Sequence, residues 1–142
     1  MTLEEQLDII RKICEEDETF PPMAYCFVRD SVHKALDNIV KARKQNAYDE
    51  DEPPDIKGAD LCRFFRDTLI SRFGPCAIDV LDTWNIKQTS DFGKIIYKLI
   101  SVEILGKSEN DSIEDFDDVY DFTEEFVMPY KQGATPGHGL RA

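Results

Sequence analysis

The residue types that build catalytic and metal sites are scarce in this chain. Its 142 residues include two histidines, His33 and His138, and one tryptophan, Trp84. His33 sits beside Val32 and Lys34, off the apolar stripe of its segment, and reads as a surface residue; His138 falls in a glycine-rich tail. Without a second anchored histidine, neither a Ser-His-Asp nor a Cys-His arrangement is expected. The four cysteines, Cys14, Cys26, Cys62 and Cys76, form no Cys-x-x-Cys pair. They are expected to be reduced, mostly buried thiols acting as small hydrophobes, and a zinc site is not expected. No glycine occurs between residues 107 and 132, which excludes an EF-hand loop there, since that loop needs glycine at its sixth position. Phosphate loop, dinucleotide fingerprint and nucleophile elbow are all missing. Asp91-Phe92-Gly93 matches the magnesium-binding triplet of protein kinases, but none of the other kinase motifs accompanies it. Asp91 is therefore expected to stabilise a helix start and Phe92 to lie in the core. No enzyme activity, metal or cofactor is expected. Every apolar run is broken by charge well short of the roughly twenty residues a spanning helix requires, and the first residues are acidic and amphipathic, unlike a leader. These features give the expectation of a cytoplasmic protein with no membrane contact.

Carboxylates, by contrast, are abundant. Asp and Glu number 29 against 17 Lys and Arg, for a net charge of −12. Nine of them, Glu109, Asp111, Glu114, Asp115, Asp117, Asp118, Asp121, Glu124 and Glu125, fall between residues 108 and 125 with no Lys or Arg among them. Five more, Asp49, Glu50, Asp51, Glu52 and Asp55, surround Pro53-Pro54. Charge so localised marks surface segments, and it disfavours nucleic acid as a partner, because phosphate contacts need clustered cations.

The 42% hydrophobic and 11% aromatic content is that of a globular domain. Thr2 with Glu5 three residues later is a capping box, and Leu3, Leu7, Ile10 and Ile13 follow on one face, which predicts a helix over about 2–16. Pro21-Pro22 opens a second, over 22–44, ending in Lys41, Arg43 and Lys44, cations that suit the helix dipole. Residues 45–57 read as an acidic linker. A third helix over 59–72 ends at Gly74; Pro75 starts a fourth over 75–84; Thr89 or Ser90 caps a fifth over 90–103. Gly93 inside that fifth helix is unfavourable for helix formation by about 0.5–1 kcal/mol, which points to a close backbone or ring approach. Phe64, Leu69, Val80, Phe92, Ile96 and Leu99 are expected to form the main core. Val102 to Leu105 could begin a short strand, and Ser112 to Phe116 a helical turn. The whole reads as a mainly α fold, one globular domain over 1–130 with a flexible tail over 131–142.

The helix order in residues 58–122 is compatible with a winged-helix arrangement, with a small β ribbon near 86 and 104–122. In that arrangement the last helix would offer only Lys94 and Lys98, and the wing would be the most acidic part of the chain. The expected function is a non-enzymatic protein-interaction or regulatory module whose partner is another protein, in particular a basic one, or a second copy of itself. Its candidate surface comprises Trp84, Asp111, Asp115, Asp117, Asp118, Tyr120 and Asp121; Trp84 is read either as a lid on the core or as an exposed anchor. The alternatives are a nucleic-acid-binding winged-helix-like regulator, which would need Arg29, Lys34, Lys41, Arg43 and Lys44 gathered on one side of the second helix, and an enzyme of unrecognised type.

Several spaced segments also carry a resemblance: Ala24-Tyr25-Cys26-Phe27, Phe73-Gly74-Pro75-Cys76-Ala77, Trp84-Asn85-Ile86, Thr89 through Tyr97, Leu105-Gly106-Lys107, Asp111 through Phe116 and Tyr120-Asp121-Phe122. In this order they resemble a family of short uncharacterised bacterial proteins, the Minf type, over about residues 5–130. The resemblance implies a bacterial cytoplasmic protein and brings no activity, cofactor or catalytic residue with it. The acidic linker and the tail fall outside the pattern, and Glu103 stands where a glycine closing the fifth helix is expected.

Overall fold

The structure, a computed structural model, describes residues 1–45, 56–106 and 112–131. The expected acidic linker and tail lie mostly outside the described residues, as do Glu109 and Asp111. The described residues are mainly helical. Helix α1 (Leu3–Glu16) starts where the Thr2 hydroxyl accepts the Glu5 N–H at 3.1 Å. Helix α2 (Pro22–Gln45) opens on Pro22, whose ring presets φ for a first turn. Helix α3 (Gly58–Phe73) stops at Gly74, whose φ of 53° is readily available only to glycine, and Pro75 then sits in a 3₁₀ turn (Gly74–Cys76) leading into α4 (Ala77–Thr83). Helix α5 (Thr89–Ser101) is followed by a 3₁₀ turn (Ile113–Phe116), a π-helical turn (Thr123–Val127) and the short α6 (Met128–Lys131). Gly74 and Pro75 thus act as punctuation where the sequence places them.

Helix α2 packs against α1, α3 and α5, so its apolar stripe is covered on more than one side. Ala24, Val28 and Ala35 are buried along it, and small side chains there let the helix axes approach. A chain of rings runs through the interior: Trp84 lies 5.3 Å from Phe27, Phe27 6.1 Å from Phe65, Phe65 4.9 Å from Phe92, and Phe92 6.0 Å from Phe122. The tilted and edge-on geometries are those favoured by aromatic quadrupoles. Leu69, Phe92, Ile96 and Leu99 are buried as expected. Phe64 and Val80 are half-buried instead, and their neighbours Phe65 and Leu81 take the core positions. One residue is about 100° of helix rotation, and both apolar pairs allowed either choice.

Other expectations need correction. Leu3, placed on the buried stripe of α1, is 61% exposed; the buried positions of α1 are Ile10 and Ile13, further along the helix. Cys62 is buried, Cys14 and Cys26 are half-buried, and Cys76 is exposed in its surface turn. The strand at Val102 to Leu105 does not form. The N–H groups of Ile104 and Leu105 both bond the Leu99 carbonyl, at 2.9 and 3.3 Å, closing α5 instead of pairing with a second strand. Glu103 holds φ at 63° at that point, the left-handed conformation for which a glycine was expected. Ile86 is buried just beyond Asn85 (φ 60°), whose side-chain N–H donates to the Thr19 carbonyl at 3.0 Å and so ties the α4–α5 turn to the α1–α2 turn. Among the described residues there is no strand, so the β ribbon of the winged-helix arrangement is not seen there.

Candidate interaction surface

Residues 112–126 alternate acidic and aromatic side chains, and the structure separates the two chemically. At the start, the Ser112 hydroxyl donates to the Glu114 carboxylate and accepts the Glu114 N–H, while the Asp115 carboxylate accepts the Ser112 N–H at 3.2 Å. These local bonds make the predicted helical turn, in its 3₁₀ form. The Ser112 hydroxyl also holds the Glu114 carboxyl below the usual carboxylate range.

The turn aims Phe116 inward. Its ring is buried, edge-on to Tyr97 at 6.5 Å, and lies against the backbones of α3 and α5. A β-carbon at Gly93 would stand 2.9 Å from three Phe116 side-chain atoms, and one at Gly58 would stand 3.1 Å from the ring. Gly93 is therefore the site of ring approach that its unfavourable place in a helix suggested. The Thr89 hydroxyl, itself buried, donates to the Phe116 carbonyl at 2.6 Å and accepts the Val119 N–H at 3.1 Å. Thr89 thus does not cap α5 through its side chain; the Asp91 carboxylate does that work, accepting the Lys87 and Gln88 N–H groups at 2.8 and 3.3 Å. This is the structural role expected for Asp91, and Phe92 beside it is buried.

Beyond Phe116 the chain turns through Asp118 at φ 48°, a conformation that Asp and Asn tolerate better than most residues. The Tyr120 hydroxyl donates to the Cys62 carbonyl at 2.7 Å, and burial pushes that phenol above its ordinary range. The Arg66 guanidinium lies over the Tyr120 ring, 5.7 Å from its centre, and pairs with Glu125 at 2.8 Å. Phe122 and Phe126 meet edge-to-face at 5.3 Å and are buried. The Asp121 carboxylate accepts the Glu124 N–H at 3.1 Å, which favours the helical turn that follows.

Rings, the Thr89 and Tyr120 hydroxyl bonds and the Arg66–Glu125 pair hold the inner side, and the other acids face out. Glu114, Asp115, Asp117, Asp118, Asp121 and Glu124 are exposed, and Glu125 is half-buried on Arg66. Asp115, Asp117, Asp118 and Asp121, all singled out in the sequence, share one short exposed stretch, with half-buried Tyr120 as its anchor. Ile113 and Met128, 40% and 39% exposed, add apolar surface at its two ends. Trp84 does not belong to this surface. Its ring is buried against Phe27, at the other end of the chain of rings, as a lid on the core. Sequence reasoning missed Thr89 as a bridge, Gly58, and Arg66 as the cation reached by Glu125; each acts across a long stretch of chain that local patterns do not register.

Elsewhere, Arg29 on α2 is buried and bonds Asp30 at 2.7 and 3.0 Å and Gln6 at 3.3 Å. His33 is exposed, as expected. Among the described residues no three His, Cys, Asp or Glu side chains are grouped to hold a metal ion, and no helix is long and apolar enough to cross a membrane. No family model, no curated protein and no solved structure matches the chain.

Proposed function

We propose that this chain is a non-enzymatic interaction or regulatory module whose acidic face, Asp115, Asp117, Asp118 and Asp121 around Tyr120, binds a cationic surface of another protein. One observation carries this reading: the acidic stretch is pinned from within by Phe116, Tyr120, Phe122 and Phe126 and leaves its carboxylates in solvent. A charged loop without such anchors would have to be ordered on binding; here the fold has already met that cost. Complementary charge would speed encounter and select the partner more than it would tighten the complex. The nucleic-acid reading is less well supported, since Arg29, one of the five cations it needs on an open face of α2, is buried in its bonds to Asp30 and Gln6. A winged-helix order for residues 58–122 remains a proposal from the succession of α3, α4 and α5 alone. The spaced motifs support placing the chain with the Minf type, as a bacterial cytoplasmic protein.

The test is affinity capture from the native host with the parent chain and with a variant carrying Asp115→Asn, Asp117→Asn, Asp118→Asn and Asp121→Asn. A specific basic protein captured by the parent and lost by the variant is the expected result. Equal capture by both, or salt-sensitive retardation of a DNA duplex by the parent, would overturn the proposal.

A further inference from the structure

We draw no further inference here: the strongest candidate, the shallow groove between the end of α2 and the start of α3 where Ile39, Ile56 and Phe64 leave half-exposed apolar surface beside Lys57 and Asp60, carries nothing because the structure does not show what covers it.

Discussion

Replacing Gly93 with alanine should destabilise this protein, although the same change in most helices does the opposite. Alanine is preferred to glycine inside a helix by about 1 kcal/mol, and Gly93 lies within α5. Against that gain stands the new methyl group, which would sit 2.9 Å from Cβ, Cγ and Cδ2 of Phe116. Phe116 has little room to yield. Its carbonyl is fixed by the Thr89 hydroxyl at 2.6 Å, and its ring also lies against Gly58, where a β-carbon would come within 3.1 Å of Cε2. Overpacking costs about 1–3 kcal/mol, and the pinned ring places this case in the upper part of that range, about 2–3 kcal/mol; less the helix gain of about 1 kcal/mol, a net loss of about 1–2 kcal/mol is expected. In a chain of this size that corresponds to a fall in Tm of roughly 3–10 °C. Urea titration followed by fluorescence would measure it, because Trp84 is the sole tryptophan and is buried against Phe27. Phe116→Ala removes two of the three close atoms, so on that background the loss from Gly93→Ala should shrink by about 1 kcal/mol or more. A Gly93→Ala protein as stable as the parent, or the same loss in both backgrounds, would refute the reasoning.

The other predictions follow the same contacts. Glu103→Gly should stabilise by about 0.5–1 kcal/mol in a denaturant titration, since relief at φ 63° exceeds the added chain entropy of glycine; a loss would mean that Glu103 is held there by something other than the end of α5. Thr89→Val keeps the shape but strips partners from the Phe116 carbonyl and the Val119 N–H, and should cost about 1–3 kcal/mol, with Thr89→Ser costing less. Equal stability of the valine variant and the parent would remove Thr89 as the bridge. In alkylation at pH 8 read by mass spectrometry, exposed Cys76 should label first and Cys62 last, because burial pushes the Cys62 thiol up to about 12 and leaves almost no thiolate. Early labelling of Cys62 in the folded chain would contradict its placement.

Much of the helical frame was legible because its signals are local. Thr2, the Pro21-Pro22 pair and the Gly74-Pro75 pair each act within a turn of where they stand, and the ends of α1, α2 and α3 fall within a residue of expectation. The choice between Phe64 and Phe65, or Val80 and Leu81, was not legible, because two adjacent apolar residues satisfy the same periodicity and only the neighbouring helices decide. The residues 112–126 were half legible. Their rings had to pack on something, and Gly93 marked where one would land. The turn at Ser112 to Phe116 was read from its local signals; what could not be read was that the chain beyond it would pack through a π-helical turn and not as a ribbon. That outcome depends on Thr89, Cys62 and Arg66, which lie on α3 and α5 and signal nothing about a distant partner in their own segments.

The central claim is that rings hold the acidic segment to the fold and leave its carboxylates free for a partner. The most direct measurement is the melting temperature of the parent and of the Asp117→Asn, Asp118→Asn variant, each at low and at moderate salt. Both side chains are exposed, and asparagine accepts φ 48° at position 118 at least as readily as aspartate. If the carboxylates only repel one another, screening over about 8–10 Å should raise the parent's Tm, and the variant should start higher and gain less from salt. A variant that melts below the parent, or a parent that salt destabilises, would show that these carboxylates are committed to holding the fold, and the account of a free acidic face would be wrong.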